Sequence, residues 1–229
     1  MIVVVGSRHD PVAVELVRQW PGAALCGADD LMGSGWRWPA RVCSGSDERR
    51  WVVNGDVVLD AEVTGVYVRR SAVYPDELTS THSDDRAYLA SEATAFLVYV
   101  LATTGAVVVN PVGDGTLVAP ALRPELWMRV AAGLGVPVSP LRLSSDVSPP
   151  PGGSESEPTS LVEVVAGEAL TTGYLASASV AVVGALGLQW AAVRFDRSGH
   201  LCGLTSSSAP STEAADRLGV LLSDRGRLT

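Results

Sequence analysis

From Val63 to Pro140 the chain alternates strand-like and helix-like segments, and this alternation restricts the fold more than any other feature. An apolar run ends in paired arginines, Val66-Tyr67-Val68-Arg69-Arg70. A long amphipathic helix is predicted from about Asp85 to Thr103. Leu89, Ala93, Phe96, Leu97, Val100 and Leu101 recur there at steps of three and four. Val107-Val108-Val109-Asn110-Pro111 follows as a buried strand. A helix over Leu122–Leu134, with Pro124 in its first turn, then closes on Gly133-Leu134-Gly135-Val136-Pro137. Strands and helices in this order build a parallel sheet with helices on its faces, because a parallel connection needs a crossover long enough for a helix.

The N-terminus adds to the same layer. Met1 to Val5 is β-branched and apolar, and Asp10-Pro11 places an N-cap and a first-turn proline at the start of a helix. Val12, Leu16 and Trp20 fall on one stripe of that helix. Ala23–Cys26 reads as the next strand. Gly6 stands at the first turn without a G-x-G-x-x-G pattern, so a dinucleotide site has little support. The stretch Ala28–Asp47, with Trp36 and Trp38, is irregular. Those tryptophans either pack beneath a loop or offer a partner surface. A hairpin is expected over Trp51–Val53 and Val57–Leu59, because Asn54-Gly55 suits a type I′ turn. Val63–Val68 is expected in the same sheet.

Composition excludes several classes of function. The net charge of −8 argues against nucleic acid or an anionic membrane as partner. No apolar run reaches the roughly 18 residues of a membrane span, and the N-terminus lacks the pattern of a signal peptide, so a cytoplasmic location is expected. All 17 basic residues are arginine. A Schiff base, a lysine nucleophile and a phosphate-binding ammonium are therefore unavailable. Cys26, Cys43 and Cys202 have no metal-ligand spacing and read as reduced thiols. His9, His82 and His200 are scattered and read as surface residues.

Residues 143–160 are rich in Ser, Pro, Gly and Glu and form the expected linker. Beyond it come a hairpin over Leu161–Val165 and Ala169–Thr172, and a small-residue helix from Ser177 to Leu188. A strand Gln189–Phe195, a turn Asp196–Gly199 and a pairing strand His200–Thr205 follow. The closing helix Ser211–Leu222 is capped by Ser211 and carries Glu213 in its first turn.

Both ends of this order resemble ATP-grasp ligases, in the branch that includes ribosomal-protein glutamate ligases and graspetide ligases. The Tyr67-Arg69-Arg70 strand end, the helix after it, Asn110-Pro111 and the Gly133–Pro137 ending match that branch in order and spacing. Gly187-Leu188-Gln189-Trp190-Ala191-Ala192-Val193-Arg194-Phe195-Asp196 matches its C-terminal strand. The resemblance implies an ATP-grasp architecture in which an acidic residue and an asparagine on the final strand hold Mg²⁺ against ATP. In this sequence the corresponding stretch, Leu201 to Ser208, has neither a carboxylate nor an asparagine. The family's phosphate-binding lysine falls near Arg123. The subdomain that carries further lysines and a Gly-rich lid is reduced to residues 143–160.

The expected fold is α/β: a pre-ATP-grasp-like parallel sheet over residues 1–142, a linker at 143–160, and a remnant C-terminal ATP-grasp-like α+β unit at 161–229. Arg69 and Arg70 either pair with Asp76, Glu77 or Glu92, or clasp a carboxylate or phosphate outside the strand ends. Tyr67, Asn110 and Asp196 complete the set of candidate ligand-binding residues; no catalytic residue or metal ligand is assigned. Ser206–Ser208 lacks a base at defined spacing, and Asp29-Asp30 and Asp84-Asp85 read as caps and solvated faces. The first expected function is a non-catalytic binding or accessory component for a peptide or amino-acid-like acid, beside a ligase or other biosynthetic enzyme, with no cofactor. The alternative is an enzyme. It would be either a minimal ATP- and Mg²⁺-dependent carboxylate–amine ligase completed by dimerisation, or a site for chemistry without ATP at Arg69 and Arg70. A structural homodimer is the third.

Overall fold

The computed structural model describes residues 1–39, 49–110, 112, 117, 123–140 and 160–224. The chain divides into two compact units, Met1–Pro120 with Ala215–Thr229, and Ala121–Ala214.

The first unit opens with β1 (Ile2–Val5), α1 (Pro11–Gln19) and β2 (Ala23–Cys26). A short helix, α2 (Ala28–Leu31), leads towards the hairpin β3 (Arg50–Val53) and β4 (Asp56–Leu59). Then come β5 (Gly65–Val68), α3 (Arg86–Thr103) and β6 (Val107–Val109). The strands form a parallel sheet in the order β2-β1-β5-β6. Alternation along the strands divides its side chains between two faces. Val3, Val5, Cys26 and Val66 join the core built with α3 and the hairpin, where Leu97, Val100 and Leu101 are buried. Each such side chain contributes about 1.5–3 kcal/mol by leaving water. On the other face Tyr67 meets the edge of Trp20 with ring centroids 5.5 Å apart.

The hairpin turn is the one its sequence dictates, with Asn54 at φ 52° and Gly55 at φ 83°. Its two strands do not extend the parallel sheet, as the sequence had suggested, but form a separate two-stranded sheet. That sheet lies against β2 and α2, where the Cys26 thiol donates to the Val52 carbonyl at 3.5 Å. Trp51, with Trp36 and Trp38 beside it at centroid distances of 5.6 and 5.5 Å, makes this an aromatic layer over the sheet face. Trp36 also meets the ring of Phe96 edge-on at 5.1 Å. Both of those tryptophans are thus half-buried against the core.

The second unit contains α4 (Pro124–Gly133), β7 (Ser160–Val165), β8 (Glu168–Ala169), α5 (Tyr174–Ala185), β9 (Trp190–Phe195) and β10 (Leu201–Thr205). Its sheet is antiparallel in the order β10-β9-β7-β8. Helix α5 starts three residues before the expected Ser177, because its N-cap is Gly173 at φ 106° and not a side-chain acceptor. The last helix, α6 (Thr212–Ser223), starts in the second unit and runs into the first.

This division differs from the segments 1–142 and 161–229 expected from the sequence. Helix α4 packs on α5 and β10 and belongs to the second unit. From Ala215 onward α6 belongs to the first. Gly65 explains that docking, since a Cβ there would lie 2.5 Å from the Leu222 carbonyl oxygen. Trp20 Nε1 donates to the Ala215 carbonyl at 2.8 Å. The linker expectation falls on residues 143–159, outside the described residues, and Ser160 already opens β7. Among the described residues, no helix is long and apolar enough to cross a membrane.

Candidate functional site

In the parallel sheet β1 leads to β2 on one side, and the chain then returns to place β5 and β6 on the other. The order therefore reverses between β1 and β5. Open α/β sheets bind ligands in the crevice outside the carboxyl ends at such a point. The residues there are Gly6 after β1 and Arg69-Arg70 after β5.

Asp10 spans this point. Its Oδ1 accepts the Val12 N–H at 3.0 Å and caps α1, while its Oδ2 accepts from Arg69 Nε at 3.0 Å. The helix N-terminus, a ready anion site in nucleotide-binding sheets, is thus already taken by the protein's own carboxylate. A phosphate placed here would meet a negative charge.

Arg70 is paired in another way. Its Nη2 donates to both carboxylate oxygens of Glu77, which sits in the 3-10 turn Pro75–Glu77. The Arg70 side chain is only 4% exposed. Its Nε and Nη1 are buried and have no hydrogen-bond partner among the described residues. Buried guanidinium nitrogens are seldom left so, because the lost hydration is not replaced. The segment over Arg70 is held by the Tyr74 N–H on Glu77 at 3.0 Å and by the Val73 N–H on Thr94 Oγ1 at 3.0 Å.

The other candidates have different places. Tyr67 points into the sheet face opposite α3, against Trp20, and is 1% exposed. Asn110, at the end of β6, is buried with φ 60°, a left-handed conformation that asparagine tolerates. Glu92 is exposed on α3. Asp196 lies in the other compact unit, at the end of β9. Its carboxylate accepts from Ser139 Oγ and from the backbone N–H groups of Ser198 and His200, both at 2.9 Å. These bonds, Ser139 first, hold its pKa below the ordinary carboxylate value. The structure thus pairs Arg69 with Asp10 and Arg70 with Glu77 at the strand ends, and gives Asp196 a turn of its own.

Sequence reasoning named Glu77 as a partner for the arginines but missed Asp10, whose role as N-cap concealed its second bond. Cys26 also lies within the field of Arg70, yet burial and the nearby Asp30 push its thiol pKa up, so it is no nucleophile. Mg²⁺ does not fit the residues that the ATP-grasp resemblance assigns to it. Asp196 is committed to its turn, and β10 supplies neither carboxylate nor asparagine. Among the described residues no three His, Cys, Asp or Glu side chains converge.

Neither a family model nor a curated protein sequence matches the chain. Solved structures match its fold. Macrocyclase MdnC bound with precursor peptide MdnA, from Microcystis aeruginosa MRC, aligns over 96% of this chain and 98% of its own, with TM-score 0.65 and 12% identity. A Chryseobacterium gregarium RiPP-associated ATP-grasp ligase, in complex with ADP and a leader and core peptide, aligns over 98% and 97%, with TM-score 0.62 and 8% identity. ATP-grasp ligase PsnB complexed with a minimal precursor aligns over 98% and 99%, with TM-score 0.60 and 13% identity. At these identities the likeness is one of fold. The chain has the mixed α/β fold of RiPP-associated ATP-grasp ligases, with a parallel and an antiparallel sheet.

Proposed function

We propose that this chain is a non-catalytic ATP-grasp-fold protein that binds a peptide or amino-acid-like acid within a peptide-modifying biosynthetic system. Arg70 is the carboxylate anchor. The observation that carries this is its buried guanidinium, half-used by Glu77, at the strand end where such sheets take ligands. A ligand carboxylate reaches the unused nitrogens when the segment Ser71–Leu78 gives way, and it forms the charge-assisted bonds that they lack. The precursor peptides in the MdnC, PsnB and Chryseobacterium complexes support a peptide as the ligand class.

The same reading explains the missing chemistry. Phosphoryl transfer rests on positioning and on neutralising phosphate charge; the chain has no lysine, Asp10 occupies the N-terminus of α1, and no metal-ligand cluster forms among the described residues. The protein would work beside a complete ligase or another biosynthetic enzyme.

Isothermal titration decides the point. A short acidic peptide should bind, and Arg70→Ala should abolish that binding while ATP with Mg²⁺ gives no heat in either protein. Micromolar binding of ATP and Mg²⁺ by the wild type would overturn the non-catalytic reading. Peptide binding that survives Arg70→Ala would overturn the anchor.

A further inference from the structure

An open cleft of about 650 Å³ lies at the carboxyl end of β2, in the first unit, within the size range of small-ligand sites. Leu25 and the buried Val52 give it an apolar floor, Gly27 and Asn54 stand at its wall, and Arg8 and Asp29 bring charge to it. Asp30 also lines it, but its carboxylate builds the wall: Oδ2 accepts the Gly27 N–H and Oδ1 the Gly55 N–H, both at 2.8 Å. Arg8 and Asp29 do no comparable work. They pair with each other, with side chains 65% and 60% exposed.

We infer that this cleft takes a free α-amino acid with an apolar side chain, its carboxylate on Arg8 and its ammonium on Asp29. An exposed pair adds little to stability, so it opens at little cost. An α-amino acid carries its two charges on neighbouring atoms of one carbon, the spacing needed to lie beside two side chains already in contact. The four charges then alternate in sign around a closed ring. A peptide holds its charged ends too far apart to do this, and a nucleotide would bring phosphates to Asp29. The aliphatic side chain would cover Leu25 and Val52. This site stands on the cleft alone and does not depend on the reading of Arg70.

The test is titration of the full chain with L-leucine, leucinamide and N-acetyl-leucine at millimolar concentration, followed by calorimetry or amide chemical shifts. L-Leucine should bind, and each single-charge analogue should bind about tenfold more weakly, the cost of one lost charge contact of modest strength. Arg8→Ala should erase the difference between leucine and leucinamide, and Asp29→Ala that between leucine and N-acetyl-leucine. Gly27→Val, which a Cβ can enter with nothing nearer than 3.8 Å, should weaken leucine binding by narrowing the cleft. Arg70→Ala should leave leucine binding unchanged, so failure here is separate from failure of the arginine anchor. No leucine binding by the wild type, or binding by Arg8→Ala and Asp29→Ala as tight as the wild type's, would overturn the inference.

Discussion

The strand end of β5 and the turn after β9 each hold a buried charge, and their surroundings treat it differently. Asp196 is served by a hydroxyl and two backbone N–H groups, which match a carboxylate that has only to stay where it is. Arg70 keeps one nitrogen paired and two buried without partners. A third buried charge, Asp60, belongs with Asp196. It accepts from Trp51 Nε1 at 2.8 Å, Thr104 Oγ1 at 2.6 Å and the Gly105 N–H at 3.2 Å, tying the hairpin to the end of α3. A saturated charge identifies a structural joint, and an unsaturated one identifies a place where the protein expects another group. In one family of folds these positions invite the same functional label; their hydrogen bonds separate them.

The largest effect should come from breaking a saturated joint. Asp60→Ala leaves the buried Trp51 indole N–H without its acceptor, frees the partly buried donors of Thr104 and Gly105, and should cost about 3 kcal/mol in urea denaturation. A loss below about 1 kcal/mol would mean that saturation is no guide to structural weight in this protein. Arg70→Met comes next, at about 2 kcal/mol, below the usual cost of orphaning a buried charge because Glu77 is itself 20% exposed and can hydrate. Unlike Asp60→Ala, it should also remove acidic-peptide binding. Glu77→Gln should do the reverse of a lesion: with the internal carboxylate weakened, acidic-peptide affinity should rise about tenfold, or about 1.4 kcal/mol. If affinity falls instead, Glu77 helps to build the site and does not compete for it.

What the sequence made legible was local. The stripe from Leu89 to Leu101, the Asp10-Pro11 cap and the Asn54-Gly55 turn each announce their element through spacing or backbone chemistry that acts within a few residues. The family resemblance extended this to the order of the sheets. What stayed hidden is long-range or lacks a side-chain signal. Gly173 caps α5 without an acceptor side chain. The hairpin leaves the parallel sheet because its aromatic residues cover that sheet's face, and nothing in the strand pattern distinguishes covering a face from extending an edge. Gly65 admits Leu222 from far along the sequence, a contact that carries α6 into the first unit. The arginine pair was visible as a motif, but Asp10, 59 residues away from Arg69, was not visible as its partner. Only the fold brings those two charges together.

The smallest effect is a pH dependence, and it sharpens the same contrast from the saturated side. The folded-state pKa of Asp196 is lowered, first by the Ser139 hydroxyl and then by the backbone N–H groups, with the His200 imidazole 3.7 Å away adding a little. A carboxyl whose pKa is lower folded than unfolded stabilises the native state above its unfolded value, and loses that contribution as pH falls through the folded one. The second unit should therefore hold constant stability, as far as this group is concerned, from neutral pH down to the ordinary carboxylate range, and then weaken on further acidification. Ser139→Ala should shift that acid transition to higher pH, because it removes the largest cause of the lowered value. Acid titrations followed by the amide signals of the turn residues Ser198 and His200, in the wild type and in Ser139→Ala, would read this directly. If the two proteins unfold at the same pH, the three bonds on Asp196 do not control its charge, and saturation would no longer separate the turn after β9 from the strand end that holds Arg70.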